Sequence, residues 1–212
     1  KNGNFISPAE AIPILEESGL IIPVGKWIIQ NAFSMCTECR KYYPEFRVSI
    51  NLSYVQILKS PLMMELKQMI ECSGISCSGI IVELTESGYL EGTPAVRSVW
   101  NDMKKLRIQI ALDDFGTGYS NLMNISNLEP DIVKLDRGFT LKALSRSYEY
   151  QLMQYVIEMV HKLNQYVCVE GVETKEDLEK IKALGPDLIQ GYYYSKPCSR
   201  DEFLKKFFGY SE

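Results

Sequence analysis

Six short apolar segments recur along the chain, at 47–51, 80–83, 108–113, 132–134, 166–170 and 188–190, with helical patterns or long crossovers between them. Strands joined this way pair in parallel and carry their helices on the outside, which narrows the fold to α/β. The segments are rich in Val and Ile, as strands buried on both faces tend to be. Helical spacing predicts helices over 24–40, 61–73, 94–106, 148–163, 175–184 and 200–208. Another begins at Ser7-Pro8-Ala9-Glu10, which reads as a capping box with Pro in the first turn, and ends at Gly19. Trp27 and Trp100 fall at helical positions and are expected in the core, and His161 on a helix is expected to be structural or exposed. No linker or shift of composition interrupts the 212 residues, so the expectation is a single domain over 1–212.

Each apolar segment stops on a polar residue: Asn51, Glu83, Asp113, Lys134, Glu170 and Gln190. Loops are wet, and any one of these is ordinary; six acids, amides and a lysine in succession are not. In a parallel barrel the C-terminal strand ends share one mouth, and in an open doubly wound sheet they share one crevice. Both architectures bring these side chains together. Clustered carboxylates raise one another's pKa unless a cation sits among them. The oxygen donors favour Mg²⁺ or Mn²⁺ over Zn²⁺. The adjacent Asp113 and Asp114 suit a pair of ions, which clamp the attacking and leaving oxygens of a phosphoryl displacement. Lys134 suits developing phosphate charge. Phe115-Gly116-Thr117-Gly118-Tyr119-Ser120 reads as a tight loop able to approach a ligand closely.

Charge and cysteine usage exclude other classes. Lys and Arg number 23 against 27 Asp and Glu, a net charge of −4. That balance argues against a DNA or RNA polymer as partner and against a polybasic membrane surface. No apolar run reaches the roughly 18–20 residues of a membrane span. Among six cysteines, Cys36-x-x-Cys39 lacks a second pair to complete a zinc site, and the chain has one His. Reduced thiols and a cytoplasmic setting are the expectation. The aromatic run Tyr192-Tyr193-Tyr194 and the residues Phe203, Phe207 and Phe208 are expected to pack on the core.

The ordered set of motifs resembles the EAL domain family, the bacterial cyclic di-GMP phosphodiesterase module. It comprises Glu17-Ser18-Gly19-Leu20, Asn51-Leu52-Ser53 with Gln56, and Glu83-Leu84-Thr85-Glu86-Ser87. Asp113 to Ser120, Lys134-Leu135-Asp136, Glu170-Gly171-Val172-Glu173-Thr174 and Gln190-Gly191-Tyr192 follow in family order. The resemblance implies a modified (β/α)₈ TIM-like barrel and hydrolysis of cyclic di-GMP to linear pGpG. It implies a two-metal site of Mg²⁺ or Mn²⁺, with Asn51, Glu83 and Asp113 on one ion and Asp113, Asp114 and Glu170 on the other. Lys134 would hold the nucleophilic water, so Lys134, Glu170, Asp113 and Asp114 are the catalytic candidates. Glu86 would anchor the loop after Asp114. Gln190, Asp136, Glu173, Gln56 and Tyr119 would support the site or touch substrate. Asn121 and Gly138 depart mildly from the family pattern, as does Val169.

The family's Glu-Ala-Leu tripeptide has no counterpart in the chain, and Glu10-Ala11-Ile12 lies in the helix that follows the motif strand in the family. The chain is therefore expected to start just past the first barrel strand; the rest of the protein or a partner would supply that strand, or the barrel closes imperfectly without it. Starting at Lys1, it is expected to have a sensory or GGDEF-type neighbour, perched on a membrane anchor or not, and a homodimer is in keeping with the family. Two other readings stay open: a receptor that binds cyclic di-GMP without turning it over, and a scaffold that uses only the barrel.

Overall fold

The structure is a computed structural model, and it describes residues 6–85, 93–117, 125 and 128–209. Along these residues run α1 (Pro8–Ser18), α2 (Ile21–Cys39), β1 (Val48–Asn51), α3 (Tyr54–Lys59), α4 (Leu62–Ser73), β2 (Ile80–Thr85), α5 (Pro94–Lys105) and β3 (Gln109–Phe115). Then come β4 (Ile132–Leu135), α6 (Arg137–Ser145), α7 (Ser147–Lys162), β5 (Tyr166–Val169), α8 (Lys175–Lys182), β6 (Leu188–Ile189) and α9 (Arg200–Phe208). The chain falls into two compact units, one within 1–82 and 91–108, the other within 83–90 and 109–212.

In the first unit α2 packs on α1, β1, α3 and α4, and α5 packs on α3 and α4. The buried stripe of α2 is Ile21, Gly25, Ile29, Phe33 and Cys36, close to one residue per helical turn. Trp27 lies off that stripe and is 64% exposed, so its expected place in the core is not observed. Trp100 is buried, with Val96 and Met103 one turn to either side on α5. Gly25 is where α2 meets the side chain of Gln56, and a Cβ there would come within 2.2 Å of its Nε2.

The second unit is built on strands β3, β4, β5 and β6, adjacent in that order and paired in parallel. Leu112, Val133, Leu135, Val167 and Val169 have almost no exposed surface. Burying each such side chain contributes about 1.5–3 kcal/mol. Helices α6 and α7 pack on each other, and α7 covers β5 with Met153, Ile157 and Val160.

Caps form where the local chemistry completes them. Ser53 with Gln56, Thr174 with Asp177, and Ser199 with Glu202 each make a reciprocal capping box at the start of α3, α8 and α9. The expected box at Ser7 does not form: its side chain makes no cap hydrogen bond, although Pro8 opens α1 and Gly19 closes it in the left-handed conformation. Helix α6 has no counterpart among the sequence expectations. Its core face is only Phe139, Thr140 and Ala143, too short a stripe to stand out in a window that also holds Gly138. The three tyrosines at 192–194 are exposed, as is Phe207, and Leu204 is the buried anchor of α9.

Candidate active site

The site grows from an irregularity in β3. Leu112 pairs with Val133 and Phe115 with Leu135, so Asp113 and Asp114 together oppose the single Lys134 of β4. Two residues against one is a β-bulge, which re-aims side chains at a sheet's functional end. Asp114 takes up the extra length with φ of 60°, a left-handed conformation that aspartate tolerates better than most residues. Its backbone N–H donates to Asp113 Oδ1 at 3.0 Å. Gly116 follows with φ of 104°, lying so close to Phe139 that a Cβ would approach its ring within 2.9 Å.

Lys134 is the centre of the arrangement. Its Nζ lies 2.6 Å from Glu83 Oε2, 2.9 Å from Asp113 Oδ1 and 2.7 Å from Glu170 Oε1. An ammonium has three N–H groups, and each here meets a different carboxylate. The Lys134 side chain is only 6% exposed, and those of Glu83, Asp113 and Glu170 are 7%, 12% and 18% exposed. Burial by itself would lower the Lys134 pKa, but the charges of Glu83 and Asp113 and the bonds to Glu170 and Glu83 overcome it and hold the ammonium well above its usual range. Burial pushes the Glu170 carboxyl up, against the pull of Lys134 and with the help of Asp113 and Glu83. Asp114 is raised as well, by burial and then by its neighbours Asp113 and Asp136. Cys168 stands opposite Lys134 in the β4–β5 register, and burial pushes its thiol up to about 12.

One ammonium faces three carboxylates, with Asp114 next to them, so the cluster is short of positive charge. All its donors are oxygen, the chemistry that suits a hard divalent cation. The donor set therefore fits such an ion. Among the described residues no group of three acidic, His or Cys side chains is disposed as a cation cage; the carboxylates close on the ammonium instead.

Among the described residues, the remaining candidates make no hydrogen bond to Lys134. Asp136 caps α6, accepting from the Gly138 N–H at 2.7 Å. Glu173 accepts from Arg137 Nη2 at 2.8 Å and from Nε at 3.2 Å. Gln190 is exposed, and its backbone joins the rim, donating to Val169 O and accepting from Val172 N. Asn51 ends β1 in the first unit, and its residue is exposed. Gln56 is buried and serves the cap of α3, where its Oε1 accepts from the Ser53 N–H at 3.2 Å. Glu86 and Tyr119 lie outside the described residues. Arg137 and the placement of Cys168 beside Lys134 escaped the sequence reading. The partner of Arg137 lies 36 residues away, a separation that leaves no local pattern.

Comparison with known proteins bears on this geometry. The profile of the EAL domain family matches residues 1–197. The chain is 31% identical over 93% of its length to cyclic di-GMP phosphodiesterase PdeF of Escherichia coli K12, and covers 26% of that protein. It is 27% identical over 94% of its length to MucR of Pseudomonas aeruginosa, a bifunctional diguanylate cyclase/cyclic di-GMP phosphodiesterase, covering 29% of it. The chain thus spans about a quarter of the length of the curated relatives it matches. Among solved structures, the EAL enzyme Bd1971 in its cAMP- and cyclic di-GMP-bound form superposes with a TM-score of 0.90. That match is at 29% identity and covers 97% of this chain and 57% of that one. The fold class is that of these structures, α/β and TIM-like.

Proposed function

Because the chain belongs to the EAL domain family, we propose that it hydrolyses one phosphodiester bond of cyclic di-GMP, giving linear pGpG, and that it does so with Mg²⁺ or Mn²⁺. The observation that carries this reading is the buried convergence of Glu83, Asp113 and Glu170 on the Lys134 ammonium at one end of the strands. Metal-assisted phosphoryl displacement uses fixed negative ligands for the metal and a cation near the reacting phosphate, and this cluster offers both.

Glu83, Asp113, Asp114 and Glu170 are the groups that would hold the metal. When bound, it supplies Lewis acidity toward the phosphate and lowers the pKa of the attacking water. Lys134 releases one of its three N–H groups from a carboxylate to orient that water or to meet charge growing on a phosphate oxygen. The water oxygen gives up a proton as it forms a bond to phosphorus, the bond from phosphorus to the 3′ oxygen breaks, and the departing oxygen takes up a proton in exchange. Asp113 and Asp114, brought side by side by the bulge, do not need to move to present two carboxylates together. On this reading the chain acts in the bacterial cytoplasm as one domain of a longer protein, beside a sensory or GGDEF-type neighbour and paired with a second copy. The short span of the relatives that it covers and the bifunctional name of MucR support the longer protein and the cyclase-type neighbour.

The test is turnover of cyclic di-GMP with Mn²⁺, products separated by chromatography. Asp113→Asn keeps the shape and removes the charge, and is expected to lower kcat by about a thousandfold, the loss that follows removal of a preorganised charge-stabilising group. Turnover that survives unchanged in Asp113→Asn would overturn the assignment. Binding without any pGpG from the unaltered chain would leave a receptor in its place.

A further inference from the structure

Two of the three carboxylates on Lys134 are held by strands, Glu83 within β2 and Asp113 within β3. Glu170 is not. It lies one residue past the end of β5, at the start of a turn, and its side chain is the most exposed of the three. Something other than a strand interior has to fix it.

The turn's two flanks show what does. The Glu170 N–H donates to Leu135 O at 3.1 Å, the last rung between the ends of β4 and β5. The next residue, Gly171, has φ of 79° and rests directly on Arg137: a Cβ there would lie 2.4 Å from Arg137 Cγ and 3.1 Å from its Cα. Two residues further, Glu173 takes both Nε and Nη2 of Arg137 on one oxygen. On the other flank, Val172 N donates to Gln190 O and its carbonyl accepts from Tyr193 N. Gly191 sits so tightly there that a Cβ would fall 2.0 Å from Val172 O. The turn from Glu170 to Glu173 is thus nested between the Arg137 side chain and the turn after β6.

We propose that Arg137 is a positioning residue: by resting its stem on Gly171 and its guanidinium on Glu173, it fixes the turn that aims Glu170 at Lys134 and at a metal ion. The proposal rests on the metal-dependent reading given above. The ion pair is exposed, with side chains 58% and 39% accessible. Pairs of this kind contribute little to global stability, so its removal should leave the fold intact while loosening one turn. A group that orients a metal ligand typically changes metal affinity or activity ten- to a hundredfold when removed.

The experiment measures Mn²⁺ affinity by electron paramagnetic resonance, amide hydrogen exchange at Gly171 and Val172, and kcat and KM for cyclic di-GMP, all on the full chain. Arg137→Ala is expected to weaken Mn²⁺ binding about tenfold, to speed exchange at Val172, and to lower kcat at limiting Mn²⁺ with recovery at excess. Its melting temperature should stay near that of the unaltered chain. Glu173→Arg should do the same, and combining it with Arg137→Glu should restore much of the affinity. Unchanged Mn²⁺ affinity in Arg137→Ala, or no rescue by the exchanged pair, would overturn the proposal. Asp113→Asn is the control for the reading beneath it. If Mn²⁺ affinity drops in Asp113→Asn but not in Arg137→Ala, the positioning role alone fails. If it drops in neither, the metal reading and the proposal fail together.

Discussion

Lys134 links the stability of the site to its chemistry. Its ammonium is buried and satisfied by three carboxylates, and removing one partner of such a group leaves the others charged and unpaired. Lys134→Met is expected to abolish turnover and, in the presence of a chelator, to cost about 3 kcal/mol of stability by denaturant unfolding. Added Mn²⁺ should return part of that stability and none of the turnover, because an ion can neutralise the carboxylates but cannot replace the amine. The carboxylates and the lysine were legible from the sequence because each stops an apolar run. What was not legible is that they share one ammonium, or that Asp113 and Asp114 face the same residue. The bulge that arranges this depends on pairing with β4, which no local pattern encodes.

Among the elements, the strands could be read closely and the helix ends less so. A strand buried on both faces leaves a dense apolar signature with a sharp polar stop, and the six segments found that way match β1 to β6 within a residue or two. Helix caps depend on side-chain geometry. Ser7-Pro8-Ala9-Glu10 has the residues of a capping box without its hydrogen bonds, whereas Ser199 and Glu202 form one. Ser199→Ala is therefore expected to cost about 1 kcal/mol and to lower Tm by about 2–4 °C, while Ser7→Ala should change it little. The Ser199 backbone N–H and hydroxyl hold the Glu202 carboxyl below its ordinary value. A carboxylate whose pKa is lower when folded stabilises above that range and loses its contribution as pH falls through it. The gap in Tm between the unaltered chain and Ser199→Ala should therefore narrow on acidification, as calorimetry can record.

At the scale of the whole molecule, acidic charge exceeds basic by four, and in the second unit several acids are concentrated around one lysine. No helix among the described residues is long and apolar enough to cross a membrane. An ion that binds the folded chain and not the unfolded one stabilises it by about 2.7 kcal/mol at a hundred times its Kd. For a chain of this size that corresponds to a rise in Tm of about 5–10 °C. Mn²⁺ should produce such a rise in thermal unfolding, and Asp113→Asn should blunt it; an unmoved Tm at saturating Mn²⁺ would count against a metal at this site. The left-handed turn at Asp114 also bears on how such a molecule changes by descent. Asparagine and glycine are the residues most at home in that conformation, and the genetic code sets each a single base away from aspartate. A lineage can therefore lose one carboxylate of the bulge in one mutational step while the backbone keeps its shape, which on the proposed function leaves a short path from hydrolysing a ligand to only binding it.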